Sequence, residues 1–209
     1  MRFAALALAA LLPAAAAAQP VDGNTARQLT FNPDRTFVAT NAQSGLTANQ
    51  NAYIDAVVTN PQVRASLRYY GSVAVSPTLF DLRASSTGGS EMLSGLFQLV
   101  GEFHSVEAAD RFALTLCESA RKSGQAPCVI AARILPKGWE PRALSLSSSA
   151  SDALSVYRRG SGPKAMAASR ATAEFAIQTG EGAAERAIAL CNRSAAAKGA
   201  ADCEVVVAD

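Results

Sequence analysis

The segment LTLCESARKSGQAPCVIAARI, residues 114–134, runs a helical pattern into Cys117 and opens a branched apolar run at Cys128. The same grammar returns in IALCNRSAAAKGAADCEVVVAD, residues 188–209, around Cys191 and Cys203. Upstream of Cys117, Val106, Ala109, Phe112 or Ala113, Leu116 and Ala120 recur at three- and four-residue steps, the period of one helix face. Ser105 is the N-cap candidate, so the spacing predicts a helix from there to about Lys122. Gly124 supplies a C′ stop and Pro127 prevents continuation. A strand over Cys128–Leu135 follows. In the second half a helix is expected from about Gly182 to Lys198, stopped by Gly199, before a strand over Cys203–Val207.

Further outward the two halves keep the same order. Ser72–Ser76 and Leu96–Val100 read as strands before the first helix, and Lys164–Ser169 and Glu174–Gln178 before the second. A short helix over about Ser149–Arg158 precedes the second set, and one opened by Asn60-Pro61 and running to about Tyr69 precedes the first. The stretch ending in ALTLC at Cys117 lies over AIALC at Cys191. This predicts an α+β fold of tandem αββαβ pseudo-repeats with antiparallel or mixed sheet, over residues 61–135 and 149–209, joined by a linker at 136–148. The first copy carries about 19 extra residues, placed in a loop around Pro77–Gly95 with SSTGGS at its centre. Residues 19–60 read as a polar arm and a first helix. Turn-rich DGN, NPDR and NAQSG with one strand-like run, Thr36–Ala39, make residues 19–45 an arm or loop, and Tyr53, Ile54, Val57 and Val58 mark a helix between Leu46 and Thr59.

Residues 1–18 have the make-up of a secretory signal peptide: Arg2, an apolar stretch from Phe3 to Leu12, and small residues at Ala16-Ala17-Ala18. No Cys follows that stretch and no later run is long enough for a membrane helix, so a periplasmic or secreted bacterial protein is expected. With 19 basic and 17 acidic residues the charge is near balance, which argues against nucleic acid or an anionic membrane surface as the main partner. Nearly half the residues are apolar but only 6% are aromatic. Alanine buries little area per residue, so two small cores would be thin and covalent staples would help.

Ten residues separate the first cysteine pair and eleven the second, unlike the close C-x₂-C knuckle of a structural zinc site. In an exported chain an even cysteine count reads as disulfides. Of three connectivities we take Cys117–Cys128 and Cys191–Cys203, one bridge per copy. No metal and no cofactor is expected.

Two strands, an alanine-rich helix ending A-[LI]-x-L-C and a C-x-[VI] strand resemble a family of small secreted bacterial domains of unknown function, in which the two cysteines are taken to pair. The resemblance implies fold and export but no activity. Short exported proteins of this look are sometimes labelled 5-aminolevulinate synthase, which these residues do not support. That chemistry needs a lysine set in a pyridoxal-phosphate site, and no glycine-rich phosphate loop accompanies Lys122, Lys137, Lys164 or Lys198. The run from Gln98 to Phe103 and that from Gln178 to Gly182 also resemble the Q-x-G-x-F strand of sporulation-related (SPOR) repeats, which bind peptidoglycan glycan. That resemblance implies Gln98, Phe103 and Gln178 on a sugar-contacting sheet face. The first run has one residue too many and the second lacks the aromatic.

His104 is the only histidine, and with Glu102 on one strand face it could begin a metal or acid/base site. With no second histidine, a cap or surface role, or a binding role beside Phe103, is the better expectation. Ser161-Gly162-Pro163-Lys164 matches S-x-x-K, but Gly-Pro breaks the helical turn on which that motif depends. Tyr69-Tyr70 reads as packing rather than a sugar platform, and Arg158-Arg159 as a solvated helix end. The expectation is a non-catalytic envelope interaction or structural protein, partnered by peptidoglycan or another envelope protein. SPOR-like glycan binding is the alternative, and an enzyme of unrecognised type the next.

Overall fold

Local capping chemistry starts most of the helices. In the computed structural model, which describes residues 19–85 and 95–209, Asp22 accepts the Asn24 and Thr25 amides in the first turn of α1 (Gly23–Leu29). Thr47 and Gln50 close a reciprocal capping box on α2 (Ala48–Thr59), and Asn60 caps α3 (Pro61–Ser66), with proline at its first position. Ser105 accepts from the Ala108 amide to start α5 (Val106–Ala120), and Ser147 accepts from the Ala150 amide to start α6 (Ser148–Tyr157). The remaining helices are α4 (Thr78–Ala84) and α7 (Ala183–Ala196).

The strands β1 (Thr36–Thr40), β2 (Gly71–Val75), β3 (Phe97–Val100) and β4 (Val129–Pro136) form one antiparallel sheet, in the order β1-β4-β2-β3. The strands β5 (Lys164–Ser169), β6 (Phe175–Thr179) and β7 (Cys203–Ala208) form a second, in the order β6-β5-β7. The protein is therefore α+β with two separate antiparallel sheets. Both disulfides form within their halves, Cys117–Cys128 and Cys191–Cys203, with Cα atoms 6.1 and 6.0 Å apart.

Two local features recur in both halves. The central strands β2 and β5 carry a register shift against β4 and β7 at Val73/Ala74 and at Met166/Ala167. The residue after the helical cysteine caps the strand cysteine: Glu118 accepts from the Cys128 amide at 2.7 Å, and Asn192 from the Cys203 amide at 3.0 Å.

Several boundaries differ from expectation. Helix α5 stops at Ala120 because Arg121 turns extended, and Gly124, at φ +83°, serves the loop closed by the disulfide rather than the helix end. The 77–95 segment opens with α4 instead of a loop; its SSTGGS centre extends outside the described residues, as does the expected leader at 1–18.

The largest correction concerns residues 19–45, which are no loose arm. Val21 pairs in parallel with Val207, α1 packs on α6, and β1 then forms the outer strand of the first sheet against β4. One segment thus straps both halves. Nor are residues 136–148 a free linker. Pro136 ends β4, while Leu144 and Leu146 are buried in the second half's core with Leu154, Tyr157, Met166 and Val207. The arm's apolar residues are too sparse for a periodic pattern, yet Val21, Ala26, Leu29, Phe31, Val38 and Ala39 all pack into hydrophobic clusters, while Phe37 stays exposed.

Each sheet is covered on both faces. In the first half Ile54, Val58, Val73, Val75, Leu79 and Ile134 form the core on one side, and α5 covers the other. In the second, α6 and α1 bring large side chains to one face, while α7 meets the other mainly through alanine, Ala165, Ala167, Ala176, Ala183 and Ala187 around Cys191, with Ile188 and Val205 partly buried beside them. The thin core expected from composition is thus found in that layer, and in the smaller Ala74, Ala113, Cys117, Cys128 and Ile130 cluster of the first half. Gly71, the first residue of β2, has no room for a side chain: a Cβ there would strike the Val100 carbonyl oxygen and lie 3.2 Å from the Arg68 carbonyl oxygen. Gly71→Ala is expected to cost about 1–3 kcal/mol by overpacking, read as a lower urea midpoint with unchanged slope.

Candidate functional site

After β3 ends at Val100, the Gly101–Ser105 turn faces the start of α6. Glu102 adopts a left-handed backbone, φ +68°, which takes it off any strand face shared with His104. Its carboxylate accepts from the Ser148 hydroxyl at 2.8 Å and the Ser149 amide at 3.1 Å, with Arg68 Nε 4.0 Å away. It therefore serves the first turn of α6, where the free amides favour an anion.

His104 is 5% exposed. Its Nδ1 accepts from the Ser147 amide at 3.0 Å, so Nδ1 carries no proton. The proton then sits on Nε2, which donates to the Glu174 carbonyl oxygen at 3.1 Å. Burial pushes the imidazole below its ordinary value, against the opposing pull of the Glu174 carbonyl and of the Glu102 and Glu174 carboxylates. Both nitrogens are engaged across the boundary between the halves, and the ring meets Phe175 edge-on at 6.2 Å. In this arrangement His104 is a neutral clasp, neither a free base nor a ligand. Among the described residues no three His, Cys, Asp or Glu side chains are grouped to hold a metal ion.

The other residues singled out by sequence do not converge. Phe103 is buried against Phe112 at 5.2 Å and does not line a sheet face. Gln98 lies on β3, its amide donating to the Gly95 carbonyl at 2.9 Å, while Gln178 lies on β6 of the other sheet. Tyr69 and Tyr70 are buried; Tyr69 donates to the Phe31 carbonyl at 3.1 Å, and burial pushes its phenol up to about 12. Lys164 is occupied by the Gly160 carbonyl at 2.8 Å and Asp209 at 3.4 Å, over the Tyr157 ring.

What tertiary structure assembles instead is a cleft of about 300 Å³ where the two halves meet beside His104. Val21, Leu144 and Val206 line it with hydrocarbon. Glu107 and Arg111 contribute from α5, and the Arg170–Glu204 pair from the second half. Glu204 holds the Arg170 guanidinium firmly charged, whereas Arg111 has no carboxylate within 4 Å among the described residues. Hydrocarbon flanked by fixed charges suits a ligand with an apolar body and a polar end. Five separate segments supply the lining, so no local motif announces it. Compared with protein-family models, curated proteins and solved structures, the chain matches none.

Proposed function

We propose that this chain is an exported, non-catalytic interaction protein of the bacterial cell envelope, built from two copies of one disulfide-bonded αββαβ unit, with the cleft between them as its binding surface. The observation that carries the reading is the cleft, held in shape by the strap, the His104 clasp and the Glu102 contacts with α6. Export is supported by the two bridges, which persist in oxidising compartments, and by the leader-like composition of residues 1–18. Among the described residues no helix is long and apolar enough to cross a membrane.

The test compares wild type with Val206→Trp, which fills the cleft, in affinity capture from an envelope fraction. Partners held by wild type and released by the variant are expected; identical capture would remove the cleft from the role. Sedimentation with isolated peptidoglycan sacculi separates the alternative. Binding that survives Val206→Trp but is lost in Gln98→Ala/Gln178→Ala would move the assignment to SPOR-like glycan recognition.

A further inference from the structure

We propose that the surface where Arg35, Arg64, Arg68 and Lys137 converge is a binding site for a phosphate group. The overall balance of 19 basic and 17 acidic residues conceals this local excess. It arises from topology. The Lys137 amide donates to the Arg35 carbonyl oxygen at 2.9 Å, which sets these residues side by side at one end of the β1–β4 pair. Leu67 is buried in the first half's core and Val63 packs against it, which draws α3 to the same place. Arg64 and Arg68, four residues apart, then complete the rim of a shallow cavity of about 470 Å³ with Leu67 and Thr36 in its wall.

Four cations line this cavity with a single carboxylate, Asp34. Arg121, Arg133, Arg142, Arg170 and Lys198 each hold a carboxylate within 4 Å, whereas Arg35, Arg64 and Lys137 hold none among the described residues. Arg68 is held by its Nη1 donating to the Ala65 carbonyl at 3.1 Å and the Leu67 carbonyl at 2.9 Å, with Glu102 only at 4.0 Å. Cations around one hollow repel one another, and Asp34 in the lining with Glu102 at 4.0 Å from Arg68 offsets them only in part, leaving a positive excess for an external anion to meet. Three guanidiniums and an ammonium around one hollow match a tetrahedral oxyanion of more than one charge better than a carboxylate, which offers two oxygens and one charge. The hollow has room for the substituent of a phosphate ester. That phosphate can be a soluble ester or an anionic lipid headgroup, and the experiment distinguishes the two.

Purified protein is titrated calorimetrically with pyrophosphate at low ionic strength, and sedimented in parallel with phosphatidylglycerol or phosphatidylcholine vesicles. Saturable binding is expected in at least one anionic arm, weakening as salt is added. Pyrophosphate alone would identify a soluble source; phosphatidylglycerol vesicles alone, a headgroup. Each lost charge-assisted contact weakens such binding by roughly tenfold, so Arg64→Glu/Lys137→Glu is expected to reduce affinity by roughly a hundredfold. Arg193→Glu, an exposed change in the other half, should leave it unaltered. The melting temperature verifies folding, and Arg64→Gln/Lys137→Gln replaces the reversal pair should that pair fail to fold. Absence of saturation in every arm, or equal affinity of the neutralised pair and wild type, would overturn the site.

Discussion

Replacing Cys191 and Cys203 together by alanine is expected to lower the stability by about 3 kcal/mol and the melting temperature by roughly 6–12 °C. The bridge spans a sequence separation of 12, and a loop of that size, once opened, returns about that much conformational entropy to the unfolded chain. The second half has little else to offset it on this face, because α7 meets its sheet mainly through Ala165, Ala167, Ala176, Ala183 and Ala187, with only Ile188 and Val205 as larger, partly buried neighbours. Each of these buries a single methyl, where leucine would bury several carbons at about 0.8 kcal/mol each. Urea unfolding of the double variant beside a Cys117→Ala/Cys128→Ala protein checks the account. The first bridge closes a separation of 11, so loop entropy predicts a nearly equal loss. A loss below about 1 kcal/mol in the second half would mean that the alanine layer packs well enough without its staple.

His104→Ala is expected to destabilise the protein by between about 2 and 5 kcal/mol. It leaves the Ser147 amide without its acceptor, removes one of the donors to the Glu174 carbonyl, which keeps the Ser169 amide at 2.9 Å, and empties the space of a ring only 5% exposed. The same residue sets a pH dependence. Its folded pKa lies below the ordinary 6.5, chiefly because burial disfavours the charged form. Above 6.5 both folded and unfolded chains hold the ring neutral, and its contribution is fully present. As the pH falls below 6.5, the unfolded chain takes up a proton that the folded chain resists, so stability declines until the folded pKa is reached. Protonation also places a second N–H on Nδ1, facing the Ser147 amide. Because this is the chain's only histidine, the difference between wild type and His104→Ala isolates the effect from the carboxylates that titrate lower. Urea midpoints at about pH 8 and about pH 5 should converge for the two proteins as the pH falls. A constant gap would show that the ring accepts its proton without loss of the clasp.

The helix and strand pattern was legible because it is local. Ser105, Asn60-Pro61 and Gly199 act on their own turns, and Lys164–Ser169 coincides with β5. The cysteine pairing was legible for the same reason: helix end and next strand start lie about a dozen residues apart, within reach once the chain reverses. Glu102 and His104 were noticed as a pair, but the left-handed turn at Glu102 sends them to different partners near the start of α6, which no spacing rule conveys. Residues 19–45 read as an arm because Val21, Ala26 and Phe31 are too far apart to show a period, and only the fold packs Val21 and Ala26 into the second half's core and Phe31 against the Tyr69 cluster.

The sequence by itself determined the succession of elements within residues 46–76 and 96–209, the two bridges and the α+β class, since capping, periodicity and short loops act between residues close along the chain, while α1 and α4 fell in stretches read as arm and loop. Tertiary structure alone decided that the sheets stay separate, that the arm straps both halves, and that His104 becomes a clasp. It also decided where charge gathers. Arg35, Arg64, Arg68 and Lys137 are scattered over a hundred positions in a nearly neutral chain, and they meet only because β1 pairs with β4 while Leu67 anchors α3 beside them. Such convergence depends on which segments bury surface against one another, a property of the folded whole.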